Sequence, residues 1–264
     1  MSDRQLTGLF AKVAAFNDWY LLNIPGGAGL CQPRQTINLH KGLIGPLCLV
    51  FMFAADDFSM CALLYLALHG TYGVLWIIKD VSYGDPSWAR PSSLGSAIAT
   101  FIFPLGLYYL PMLILFTPLG EVVPGGWGTT ETMSPWTAFG AVVLFLFGSQ
   151  LHFVGDAQKH YVLKHQRPRQ LITDGTFAAS RNPNYLGEIM MYAGFALLSQ
   201  HWLPFVAFAW VWVQVFGVNM WKKELSMRRY EAHAAWRKKS GFLLLNPITM
   251  LRALPLALRR MSDD

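Results

Sequence analysis

Five apolar stretches, each close to the length of a bilayer crossing, dominate this chain and leave little choice of fold. A spanning helix needs about 20 mostly apolar residues. Residues 42–57, 60–79, 96–118, 136–155 and 203–221 are the clear candidates. Residues 185–200 are shorter but apolar, and they follow a helix-start signal, Asn182-Pro183. The stretch 7–23 is interrupted by Lys12, Asn17 and Asp18, so it reads as a first span or as an interfacial helix. The expectation is an all-α, polytopic transmembrane bundle of six to seven spans forming one integral membrane domain over residues 1–264. Only 14% of the residues are charged, against roughly a quarter in an ordinary soluble domain. Much of the exterior should therefore face lipid.

The loops sort by charge. Residues 119–135 carry Glu121 and Glu131 and no Lys or Arg, whereas 156–182 and 222–264 are strongly basic. Basic loops stay on the cytoplasmic side, which predicts a cytoplasmic C-terminus and places Arg34, Lys41, Lys79 and Arg90 on that side as well. If 7–23 spans, the N-terminus lies outside. The net charge of +6 is concentrated at 159–169, 222–239 and 252–260. That clustering points to membrane lipids and a phosphorylated ligand, not to nucleic acid; anionic lipid suffices for the last cluster. The N-terminus lacks the pattern of a cleaved signal peptide. Cys31, Cys48 and Cys61 have no metal-ligand spacing, so neither a disulfide nor a metal site is expected. No internal repeat is visible, which disfavours transporters built from duplicated halves.

The polar residues of the second half converge. Asn182 reads as a helix N-cap with Pro183 at the first helical position, so a span starts there and its free N–H groups favour anions. On that helix Asn184 and Glu188 share a face. A carboxylate inside a span is costly unless paired, which makes Glu188 a functional candidate; a structural bond to a neighbouring helix is the simpler account. Helical period also aligns His152, Asp156, Lys159, His160 and Arg167, with Pro168 ending the helix. Lys164 and Arg169 fit a snorkelling rim. After the last span, Asn219, Lys223, Ser226, Tyr230, His233 and Arg237 fall on one face, which is either solvated or binding. Glu224 and Arg228, four apart on the opposite side, are expected to pair. No Rossmann or P-loop glycine pattern is present.

Three segments carry a resemblance. Gly155-Asp156-Ala157-Gln158-Lys159, then Gly175-Thr176-Phe177, then Ser180-Arg181-Asn182-Pro183-Asn184-Tyr185-Leu186-Gly187-Glu188 resemble the C-terminal half of the steroid 5α-reductase and sterol reductase superfamily. The tail with Lys223-Glu224, Met227, Tyr230, Trp236, Ser240-Gly241-Phe242 and Pro247 is similar to that family's terminal segment. The likeness covers about residues 150–247. It implies a seven-helix membrane enzyme with NADPH held by the C-terminal helices (136–250), substrate-side helices at 1–135, and reduction of a polarised carbon–carbon double bond.

Position by position, the resemblance assigns Asp156, Asn184 and Glu188 to cofactor contact and places Arg181 and Tyr185 in the Arg-x-Pro-Asn-Tyr pattern. It sets His152 where steroid reductases tend to have Asn, and Lys164 and Arg167 near a basic cofactor-contacting position. His160, Lys223, Tyr230 and His233 complete the candidate cofactor set. The Gln-Glu pair with which steroid 5α-reductases hold a ketone is missing; Gln35-Thr36 is the nearest region. A Leu-His-Tyr segment corresponds to Leu68-His69-Gly70, with Tyr72 close by, so Tyr72 and His69 are the candidate catalytic residues.

A phenol or imidazole aimed at the conjugated oxygen would offset the negative charge that develops during reduction. The substrate would be lipophilic (steroid, sterol, polyprenol or acyl chain) and come from the bilayer. The alternative is an S-adenosylmethionine-dependent membrane methyltransferase of the isoprenylcysteine or phospholipid type, which shares an Arg-His-Pro-x-Tyr segment. The abundance of bases favours a phosphorylated dinucleotide over a cationic cofactor. A channel, transporter or lipid-binding scaffold is the reading outside enzymology.

Overall fold

The computed structural model describes residues 8–27 and 29–252. Its main helices are α1 (Leu9–Leu22), α2 (Pro33–Ala55), α3 (Met60–Tyr83), α4 (Leu94–Phe116), α5 (Pro135–His165), α6 (Pro183–Leu198), α7 (Trp202–Met227) and α8 (His233–Lys239). Five of them (α2, α3, α4, α5 and α7) are long and apolar enough to cross a membrane. Among the described residues there is no β-strand, only isolated bridges such as Ser180 with Gly241. The protein is an all-α membrane bundle. The last basic cluster lies mostly outside the described residues, as does the C-terminus.

The helix starts follow from local chemistry. Gln32 and Gln35 exchange capping bonds ahead of Pro33, Ser93 accepts from the Ser96 N–H at 3.0 Å, and Ser134 accepts from Trp136 at 3.2 Å. Each satisfies backbone donors that a helix end leaves free. Asn182 does sit at the N-cap of α6 with Pro183 behind it, but its side chain makes no cap bond. Its amide donates instead to the Phe242 carbonyl at 2.8 Å and ties the terminal segment to the bundle.

One sequence expectation needs correction, and one left open between a span and an interfacial helix is narrowed. The first long span begins at Pro33, not at residue 42. Polar residues inside α2 do not end the helix because they are absorbed by the protein: Arg34 pairs with Asp80 at 3.2 Å, and His40 and Lys41 are buried. Conversely, the 14 residues of α1 rise only about 21 Å, short of the ~30 Å hydrocarbon layer. Phe10 meets Trp221 near the end of α7, and Leu22 receives a hydrogen bond from Ser93 at the start of α4. Both ends of α1 are thus held at the basic end of the bundle, where it lies as a short flanking helix.

Loops of opposite charge do fall at opposite ends. The acidic loop packs on the α6–α7 turn: Trp127 donates to Gln200 at 2.9 Å, and Trp202 to Pro124 at 2.8 Å. At the other end, Arg181 donates its backbone N–H to Gly241.

The centre of the bundle is α6 packed along α5. Gly148 and Gly187 meet there, and a Cβ on Gly148 would stand 2.6 Å from the Gly187 carbonyl oxygen. A Cβ on Gly187 would collide with the Gly148 carbonyl and lie 2.5 Å from the His152 nitrogen. Gly187→Val is therefore expected to destabilise the bundle by about 1–3 kcal/mol through overpacking, seen as earlier thermal unfolding in detergent. Wild-type unfolding behaviour would contradict this close approach.

Three helices contain one wide π-helical turn: Leu66–Gly70 in α3, Gln150–Val154 in α5 and Trp212–Gly217 in α7. Such turns are frequent at functional sites. The first carries His69 and the second His152.

Candidate functional site

A cavity of about 470 Å³ opens at the basic end between α3, α5, α6 and α7. Trp76, His152 and Glu188 form its inner end. Asp156, Lys159, Asn184, Tyr185, Asn219 and Lys223 line its walls, and Asp85, Trp88, Arg90, Arg229 and Tyr230 surround the outer part.

The inner wall is held by a hydrogen-bond relay. Lys79, almost fully buried, bonds Asp156 and stands 3.3 Å from His152 Nε2. His152 Nδ1 lies 3.0 Å from the Asn184 carbonyl. An ammonium can only donate, so Nε2 accepts from Lys79 and Nδ1 carries the proton given to Asn184. That fixes the His152 ring, which stacks on Trp76 (centroids 5.7 Å apart). Trp76 stacks in turn on Trp88 at 5.6 Å. Its indole N–H donates to Asn38 at 3.2 Å, whose amide is bonded to Asp80. An aromatic plate is thus braced from three sides.

Glu188, in the interior of the bundle, is paired. It receives the Tyr72 hydroxyl at 3.1 Å and stands 3.7 Å from Lys41 Nζ. Lys41 also bonds Tyr72 at 3.2 Å and, very closely, Tyr192. Farther out, Lys159 and Asp85 pair at 3.3 Å. Burial opposes ionisation of Asp85, but Lys159 and the Ser87 N–H outweigh it and hold the carboxyl below its ordinary value.

Eight of the residues expected from sequence meet at this cavity: His152, Asp156, Lys159, Asn184, Tyr185, Glu188, Lys223 and Tyr230. Tyr72 and His69 lie behind its inner end, both sealed from solvent. Tyr72 reaches the cavity through Glu188. His69 accepts or donates at Nδ1 with the Tyr65 hydroxyl (2.7 Å), and its Nε2 has no partner among the described residues.

Five expected residues are elsewhere. Lys164 and Arg167 are exposed; α5 ends at His165, so helical period does not extend to Arg167, which donates to the Leu163 carbonyl at 2.7 Å. His160 faces Tyr83, with ring centroids 6.3 Å apart. Arg181 and His233 both turn onto Glu224, at 2.9 and 3.1 Å. The expected Glu224–Arg228 pair does not form; the Arg228 guanidinium lies over the Trp221 ring. The cause is the end of α7 at Met227, which places His233 on a separate helix.

Sequence reasoning missed Lys41 and Lys79 as site residues because it read them as markers of a loop. Pro33 was the available signal. A helix starting there puts Lys41 two turns inside a span.

A helical membrane bundle with a polar cavity at one end, walled by paired buried charges, is the class of protein that fold and site define. The family model described as "Protein of unknown function (DUF1295)" matches residues 85–241, more than half of the chain, and the chain belongs to that family. An uncharacterized protein of Schizosaccharomyces pombe (strain 972 / ATCC 24843) is 31% identical over 64 residues, 24% of this chain and 23% of the relative. The matched part thus spans about a quarter of that relative's length.

Proposed function

We propose that the protein is a membrane-embedded, NADPH-dependent reductase of an activated carbon–carbon double bond in a lipophilic substrate, a member of the steroid 5α-reductase and sterol reductase superfamily. The observation that carries this reading is one cavity that joins cationic walls to a Glu188–Tyr72 hydrogen bond at its inner end. The motif resemblance at 155–188 supports it.

The residues present fit such a cofactor. Asn184 lines the cavity, and its side-chain oxygen is buried without a partner among the described residues. A buried acceptor left unpaired is costly, so an amide or amino N–H on a ligand would satisfy it. Arg90, Lys159, Lys223 and Arg229 would hold phosphates, and the Trp76–Trp88 plate would shelter a flat ring. When bound, NADPH supplies a hydride equivalent.

The chain's own part is to position, to exclude water and to hold a proton. Tyr72 keeps its proton on the oxygen nearest Glu188. His69 offers an unpartnered nitrogen deeper in the bundle, on the side of helices α2 to α4 from which a lipophilic substrate would come. His69 would face the oxygen on which negative charge develops, while Tyr72, whose single O–H is given to Glu188, would act through that carboxylate. The cavity would face the cytoplasm, because its mouth carries the basic loops.

Thermal unfolding of the detergent-purified protein tests the reading. NADPH at a hundred times its dissociation constant should add about 2.7 kcal/mol of stability, while S-adenosylmethionine should add none. Stabilisation by S-adenosylmethionine alone would replace the reductase with a methyltransferase.

A further inference from the structure

Lys41 is 1% exposed and lies within a span. A lysine in a membrane helix ordinarily snorkels to the interface; this one is held inside the bundle. Its ammonium sits among four aromatic faces, those of Tyr72, Trp76, Tyr108 and Tyr192, at 4.6 to 5.1 Å from the ring centroids. Three polar groups surround it: the hydroxyls of Tyr72 and Tyr192, and the Glu188 carboxylate. Two of its three N–H donors go to the hydroxyls, and the ammonium stands 3.7 Å from Glu188 as an ion pair.

The pair is asymmetric. The Glu188 side chain retains 12% of its exposure and lines the cavity, whereas the Lys41 side chain retains 2% and is shut behind it. A buried ion pair adds little stability over apolar residues of the same volume, so packing alone does not account for it. Lys41, shut off from the cavity, can act only through its neighbours.

We infer that Lys41 is a positioning residue: it clamps the Tyr72 hydroxyl and the Glu188 carboxylate into one hydrogen-bonded unit and presents that unit to the inner end of the cavity. The clamp ties α2 to α3 and α6, so a residue of the N-terminal half sets the geometry of the cofactor half. The role in turnover rests on the reductase reading; the clamp itself does not.

The test uses Lys41→Met in the full-length protein, with Lys41→Met/Glu188→Gln as the charge-neutral partner that keeps folding in hand. Infrared bands of Glu188, assigned by difference against Glu188→Gln, report its bonding without any cofactor. Lys41→Met should shift those bands, and Tyr72→Phe should shift them in part. Unshifted bands in Lys41→Met overturn the clamp. If Lys41→Met does not fold, Lys41→Gln, which removes the charge but keeps hydrogen-bonding groups, decides by the same bands.

In turnover, Lys41→Met should lower kcat by about 100-fold or more, the range of a displaced proton-handling group. NADPH affinity should stay within a few-fold. An unchanged kcat overturns the positioning role. Failure of the wild-type protein to bind NADPH sinks the reductase reading alone, because the infrared result stands independently.

Discussion

Glu224→Ala is expected to lower the stability of the bundle by about 3–5 kcal/mol, the cost of leaving a buried charge without its partner. Glu224 and Arg181 are both nearly sealed from solvent, and they are joined at 2.9 Å. Glu224 also receives His233 at 3.1 Å. Arg181 has a second obligation, since its Nη1 donates to the Ser240 carbonyl at 2.7 Å. One carboxylate thus fastens α7, α8 and the segment before α6 together, and the terminal segment is fastened to them through Arg181. Removing it strands the guanidinium in a place that water does not reach. Thermal unfolding in detergent measures the loss directly. Arg181→Met/Glu224→Leu should recover most of it, because apolar side chains of similar volume carry no uncompensated charge. An unfolding midpoint unchanged in Glu224→Ala would show that the network is ornamental.

Lys223→Ala should weaken NADPH binding by about 10- to 100-fold while leaving the fold in place. Hydrogen bonds to charged groups contribute about 1.5–3 kcal/mol, and each 1.4 kcal/mol is a factor of ten in affinity. Lys223 lines the cavity, donates to the Arg181 carbonyl at 3.2 Å and lies over the Phe177 ring. Its position is therefore fixed before a ligand arrives, which spares part of the ordering entropy. Asn184→Ala should act in the same direction through its unpartnered oxygen. Calorimetric titration of each variant with NADPH reads both effects. Wild-type affinity in both would move the cofactor away from this cavity.

The bundle was legible in the sequence because lipid imposes a length and a polarity that hydropathy records. Glu188 was legible for the same reason: a carboxylate within a span needs a partner. The partner was not, since Lys41 lies far away in the chain and helices α2 and α6 must pack before the two can meet. Its charge near a helix start also looks like a boundary, and only the burial of α2 shows otherwise. Asp156 and Lys159 do line one cavity, as helical period suggests, because α5 is regular helix from Gly155 to His165. Arg167 and His233 were misplaced because period has no meaning beyond a helix end. Arg181 was found as part of a motif, but its motif position says nothing about whether it faces a ligand or Glu224.

The wide turns in α3, α5 and α7 make helix winding itself a coordinate of the site. Each holds a residue more than an ordinary turn would. Rewinding Gln150–Val154 as regular helix with all five residues kept would swing everything after it by about 100°. Asp156 and Lys159 would then leave the cavity wall with no change in their identity. Loss of the wide turn without loss of a residue would disable the pocket as surely as replacing those side chains, whereas the surface loop at 119–135 offers no such lever.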